Sequence, residues 1–250
     1  MPPPRVRFTV RQMMVGVSLA SVLCGVIVCL GRLANEARRS AGGSQCSGHL
    51  CQIALALHNY HEANGCFPPA YIADPEGRPK HSWRVLILPF IEQPGIYNAY
   101  NFAEPWNGPN NRQLARFKPF PYACPNGHDY GGHSARTNYL AIVGPGTAFP
   151  GSKTTSIADV RDGTAETIMV AEVADSGIDW MEPRDFIAGS MSMVINDRSR
   201  LSVSSHDPRG PHVICVDGSR RVLNPALPER SLKALMTISG GERLSTGWER

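Results

Sequence analysis

Residues 13–30 read MMVGVSLASVLCGVIVCL, eighteen positions without a charge. As a helix rising ~1.5 Å per residue, the run comes close to spanning the ~30 Å hydrocarbon core of a bilayer. Arginines flank it on both sides: Arg5, Arg7 and Arg11 before, Arg32, Arg38 and Arg39 after. A cleaved secretory signal has a shorter apolar region and a small-residue exit, whereas this run leads into Gly31-Arg32-Leu33. Cys24 follows Val22-Leu23 and Cys29 follows Ile27-Val28, so neither has the small residues that precede a lipoprotein cysteine. The stretch reads as an uncleaved single-pass anchor, with a buried core helix as the alternative. The flanking arginines balance, and the free N-terminus and Glu36 tip the orientation toward a cytoplasmic N-terminus. The expected organisation is a basic cytoplasmic tail (1–12), a transmembrane helix (13–33), a hinge (34–44) and an extracytoplasmic α+β domain (45–250). The expected location is the inner membrane, with the main domain in the periplasm.

The remaining ~210 residues suffice for a sizeable core. A net charge of +4 lies partly in the anchor flanks, and no lysine-rich stripe with interleaved aromatics appears, which argues against nucleic-acid binding. The 24 glycines and 21 prolines are spread along the chain and indicate a loop-rich fold of short strands. Five of the seven cysteines, Cys46, Cys51, Cys66, Cys124 and Cys215, lie outside the apolar run. In an oxidising compartment they allow two bridges and one thiol, with the pairing left open.

Leu50, Ile53, Ala54, Leu57 and Tyr60 recur at helical spacing, and Asn64-Gly65 followed by Pro68-Pro69 ends the helix. Upstream, Gly42-Gly43 and Gly48 predict a break, each costing ~1 kcal/mol against Ala in a helix interior. His81–Ile91 fits either a buried strand or a short helix. Asn138–Val143, Thr167–Glu172 and Val213–Val216 read as strands, and Asp217-Gly218 turns the last into Arg221-Val222-Leu223. Ser231–Ile238 reads as a closing helix. The fold class is therefore α+β, with an N-terminal transmembrane helix continuing toward an amphipathic helix on a mostly antiparallel sheet.

Leu57-His58-Asn59-Tyr60-His61, Asn64-Gly65, Phe67-Pro68-Pro69, His81-Ser82-Trp83-Arg84-Val85, Cys124-Pro125, Asp162-Gly163-Thr164, Glu182-Pro183-Arg184-Asp185 and Gly240-Gly241-Glu242 together resemble the planctomycete pseudopilin-like proteins built on domain of unknown function 1559. His206 with Asp217-Gly218-Ser219 is similar to that family's closing His-spacer-Asp-Gly motif. The family has no assigned activity. The resemblance implies a pilin-like, membrane-tethered domain related at its N-terminus to type II secretion pseudopilins and type IV prepilins. Two positions depart from the pilin leader: Arg7 stands where Gly precedes the mature Phe, and Gln12 where Glu is usual. Gln12 supplies no charge to attract a neighbouring N-terminus in lipid, so a static anchor is favoured over a filament subunit.

Candidate chemistry is sparse. His58 and His61 sit three apart on one helix face, a spacing a metal accepts; the alternative is a pair of partly buried, hydrogen-bonded histidines. Asp159 and Asp162, with Gly163, form an acidic turn suited to calcium; the alternative is carboxylates accepting backbone hydrogen bonds. Ser204 or Ser205, His206 and Asp217 could be assembled into a triad, yet no nucleophile elbow accompanies them. Trp83, Trp106 and Trp180 either line a groove or belong to the core, where Trp is ordinarily found. Small residues four apart, Gly16 with Ala20 and Ser21 with Gly25, permit close helix approach in lipid. The expectation is a non-enzymatic, membrane-anchored, pseudopilin-like protein serving assembly, secretion or envelope organisation. Its partners would be the membrane through 13–33 and copies of itself or other pilin-like subunits. The alternative is a tethered module that binds a polysaccharide or small solute. An enzyme, metal-dependent through His58 and His61 or the Asp159 turn, is the third reading.

Overall fold

The computed structural model describes residues 10–127, 134–242 and 247–248. Arg5 and Arg7, read above as part of a basic tail, lie outside them. The chain divides at Ala41/Gly42 into two compact units. Helix α1 (Val10–Asn64) contributes to both. In the first unit Leu19, Val22, Leu23, Ile27 and Leu30 stand exposed. The Ser18 and Ser21 hydroxyls donate back to the carbonyls of Met14 and Val17 at 2.9 and 2.8 Å, so neither polar hydrogen is left unsatisfied in an apolar setting. This part is long and apolar enough to cross a membrane, a property it shares with signal sequences.

In the second unit α1 buries Leu50, Ile53, Ala54 and Leu57. It stops where Gly65 adopts φ +75° and donates its N–H to the His61 carbonyl at 2.7 Å, a left-handed cap that a Cβ would strain. The helix bounds include Gly42 and Gly43, where the sequence predicts a break, and the division between the two units falls at the same place. Both glycines are buried, and a Cβ would overlap the Asn126 side chain at Gly42 and the Asp207 and Arg209 side chains at Gly43. They serve close packing, which outweighs their poor helix propensity.

A two-stranded antiparallel ribbon, β1 (Tyr71–Ala73) with β2 (Pro79–Ser82), leads into α2 (Trp83–Leu86). The ambiguous 81–91 segment is thus the end of a strand followed by short helical turns. Helices α3 (Pro94–Ala99) and α4 (Asn111–Leu114) follow. The main sheet holds β3 (Tyr139–Val143), β4 (Ile168–Glu172), β5 (Phe186–Ile187), β6 (His212–Cys215) and β7 (Arg220–Val222), in the order β5-β3-β4-β6-β7. Only β3 with β5 is parallel. Helix α5 (Glu229–Ala234) follows. The α+β class and the antiparallel sheet agree with the sequence reading; β1, β2 and β5, each four residues or fewer, are additions to it.

The sheet is buried on both faces, so β3, β4 and β6 read as apolar runs rather than alternations. Tyr139, Ala141 and Ile214 join the core under α1, with Leu50, Ile53, Leu57, Trp83 and Trp180. Leu140, Ile142, Val213 and Cys215 point the other way, onto Leu223, Leu232 and Leu235. In β4 a register shift between Ile168 and Val170 lets Met169 and Val170 face the same core, as a bulge does.

Candidate functional site

The short motifs of the sequence meet in pairs. Asp162 accepts from the backbone N–H of Gly240 and Gly241 at 2.6 and 2.9 Å, and from the Thr237 hydroxyl at 3.1 Å. Gly218, at φ +81°, lies against His58: a Cβ there would sit 3.0 Å from His58 Nε2. Trp83 and Arg84 reach across the domain to Asp185.

Most of the candidate ligands have protein partners of their own. His61 Nε2 accepts the Ile157 N–H at 3.3 Å. His58 packs edge-on against Phe67, and its buried Nε2 has no hydrogen-bond partner among the described residues. Asp159 closes a capping box on Ser156, accepting its N–H at 2.7 Å and its hydroxyl at 2.9 Å; those hydrogen bonds hold its carboxyl below the usual range. His206 lies 3.5 Å from Asp175, away from Asp217, which caps its own turn through Ser219 N at 2.8 Å. Asn64 donates to Tyr60 O at 2.8 Å, and Pro68 and Pro69 follow the cap. Trp83 and Trp180 are core residues, and Trp106 packs partly buried against that core. Among the described residues one disulfide forms, Cys46 to Cys124, in place of the two the cysteine count allows. Exposed Cys51 projects from α1, where no second cysteine meets it.

A polar cluster lies beneath that disulfide. Glu172, 1% exposed, accepts the Ser205 hydroxyl at 2.8 Å and the His212 N–H at 3.0 Å. Its carboxylate lies within 4.8 Å of both disulfide sulfurs, which are spent on each other and are not thiolate ligands. Burial pushes Glu172 up to about 7, against the pull of its two donors. His212 Nε2 is 4.0 Å from Asp207 Oδ2, and burial with Arg220 pushes its imidazole down to about 4 although Asp207 opposes. Glu172 therefore holds a proton in the folded state that the unfolded chain releases between pH 4.5 and 7, so stability falls as pH rises through that window. His212 does the reverse between pH 4 and 6.5, where only the unfolded chain is protonated. The two opposing slopes overlap. Thermal unfolding followed against pH should show His212→Asn losing stability relative to wild type progressively from pH 4 to 6.5; parallel curves would mean that His212 titrates normally when folded.

A cleft of about 820 Å³ lies where the β1–β2 ribbon and the 144–151 loop meet the start of β5. Pro79, Pro145, Pro150, Pro183, Ile187 and Tyr71 form its walls, and Asp185 also lines it. Asp185 is 4% exposed and Arg84 fully buried. Three donors converge on Asp185 Oδ1: the Arg84 guanidinium, the Trp83 indole N–H at 3.2 Å and the Ala141 N–H at 2.8 Å. No hydrogen bond among the described residues reaches Oδ2. Burial lifts this carboxyl to about 6 despite Arg84 and the three donors. Lys153 and Arg184 stand exposed at the cleft, Arg184 paired to Glu182 at 2.7 Å.

Residues 35–141 match a family model, the protein of unknown function DUF1559. The DUF1559 span runs from α1 to the middle of β3. It contains both disulfide cysteines, His58 and the Trp83-Arg84 pair, while Asp162, Asp185 and Asp217 lie beyond it. No curated protein and no solved structure gives a match. Sequence reasoning missed the Arg84–Asp185 pair. The available signal was an arginine inside Trp83–Leu88, an otherwise apolar run in which a charge needs a buried partner.

Proposed function

We propose that this chain is a membrane-anchored, non-enzymatic, pseudopilin-like protein whose outer domain serves assembly, secretion or envelope organisation. The observation that carries this reading is the exposed apolar run at the start of α1, long enough to cross a membrane, which precedes in sequence a stripe buried under the antiparallel sheet. The Cys46–Cys124 bridge supports a periplasmic domain and a cytoplasmic N-terminus, since such bridges persist in oxidising compartments. Lateral contact would run along Ala20, Ser21 and Gly25. In native membranes, single cysteines placed through 17–28 of a chain lacking Cys24 and Cys29 are expected to cross-link on one helical face. Uniform absence of dimers would sink the assembly role.

The proposal needs no metal or cofactor. Calcium at Asp159 and Asp162 would have to displace hydrogen bonds these carboxylates already accept. Exhaustive chelation should therefore leave the unfolding midpoint in place; a drop reversed by calcium would restore the ion site.

A second reading, a tethered binding module, is favoured by the 820 Å³ cleft, a volume within the usual range of ligand sites.

A further inference from the structure

The cleft has three zones of different chemistry. Its walls are rigid and apolar: four proline rings, Ile187 and the Tyr71 ring. Gly151 keeps the Tyr71 end open, because a Cβ there would come within 3.2 Å of the Tyr71 hydroxyl oxygen, and its φ of +87° disfavours any side chain. Asp185 lines the cleft, with three donors on Oδ1 and no protein donor on Oδ2 among the described residues. Oδ2 is not among the buried polar atoms that lack a partner, so it faces the cleft and is open to water; a ligand that covers it must replace that water with a donor. Arg84 already balances the Asp185 charge, so a neutral hydroxyl fits this position better than an ammonium, which would add an uncompensated charge. The exposed cations Lys153 and Arg184 define the third zone. Glu182 offsets part of the Arg184 charge, while Lys153 has no ion pair among the described residues, leaving the mouth net positive.

A pure hydrocarbon tail would leave Oδ2 stranded, and a cation would meet the wrong charge at the mouth. A sugar ring offers apolar C–H faces and hydroxyl edges together, and an acidic sugar adds the anion. We propose that this cleft binds an acidic saccharide unit, with a ring hydroxyl donating to Asp185 Oδ2, a C–H face against Tyr71 and the prolines, and a carboxylate or sulfate meeting Lys153 and Arg184. This inference rests on the binding reading and names its ligand.

The full chain in nanodiscs would be titrated with oligogalacturonate, with a sulfated oligosaccharide and with a neutral cello-oligosaccharide of equal length. Calorimetry and tryptophan emission supply the readouts, since the Trp83 indole shares Asp185 with the ligand. Saturable binding is expected for an acidic chain, weaker by about tenfold or more for the neutral one, as loss of a complementary charge ordinarily produces. Whichever acidic chain binds identifies the anion. Lys153→Ala should weaken acidic binding about fivefold and flatten its salt dependence with the unfolding midpoint unchanged. Ile187→Trp, which fills the cleft and leaves every charge in place, should abolish binding. Acidic binding that survives Ile187→Trp would be general surface attraction and would overturn the proposal, as would equal affinity for the neutral chain. A flat response to all three saccharides, together with a library compound that raises the midpoint only when Ile187 is intact, overturns the saccharide and leaves the cleft a binding site. Silence from both overturns the binding reading as well.

Discussion

Asp185→Ala is expected to lower unfolding stability by about 3–5 kcal/mol, the usual effect of removing one partner from a buried ion pair. Arg84 would remain fully buried with its charge uncompensated. It would keep the Tyr139 carbonyl at 3.0 and 3.1 Å and the Ser82 hydroxyl at 3.1 Å, which solvate the guanidinium but do not neutralise it. The Trp83 indole and the Ala141 amide would lose their acceptor at the same time, and an orphaned buried donor costs about 1–3 kcal/mol. The damage therefore falls on α2 and β3 together. Replacing both partners, Arg84→Met with Asp185→Leu, should cost less than Asp185→Ala alone, because the charge is removed with its counter-ion. Urea midpoints of the three variants decide the matter. A loss below about 1 kcal/mol for Asp185→Ala would show that Arg84 finds adequate compensation elsewhere.

Removing the Cys46–Cys124 bridge is expected to cost about 4 kcal/mol, from the chain entropy restored to the unfolded state when a 78-residue loop is opened. For a domain of this size that corresponds to a fall in Tm of about 8–16 °C. The bridge ties α1 to the segment that precedes β3, just where Gly42 and Gly43 pack against Asn126, Asp207 and Arg209. Cys46→Ala with Cys124→Ala should reproduce the effect of a reductant, and reductant should add nothing to that double variant. A further fall on reduction would reveal a second bridge, and an unchanged Tm would mean that the unfolded chain is already restrained there.

Much of the secondary structure was legible because it is written in near neighbours. The stripe Leu50, Ile53, Ala54 and Leu57 marks a helix face by spacing alone, and Asn64-Gly65 marks its end. The apolar runs of β3, β4 and β6 and the Asp217-Gly218 turn belong to the same class of signal. Gly42-Gly43 shows what a local pattern leaves out. Propensity records what glycine costs a helix, whereas these positions are set by side chains from far along the chain that occupy the space of a Cβ. The candidate site was less legible still. His58 and His61 share a helix face, and both rings pack against Phe67, while His61 also accepts the Ile157 N–H. Asp185 looks in sequence like any acidic residue of a surface turn.

By itself the sequence determined that an uncharged run of membrane-spanning length precedes an α+β domain, and where its longest helix, its closing helix and its core strands lie. Those features depend on periodicity and on turn chemistry within a few residues. Only the tertiary structure decided that Asp162 locks onto Gly240 and Gly241, that Cys46 takes Cys124, and that Asp185 pairs with Arg84 at the edge of a cleft. Each of these joins residues more than seventy positions apart, and no local pattern specifies which of several acids or cysteines the topology will deliver to a given partner. A buried charge and a solvated one are the same letter until the fold removes the water.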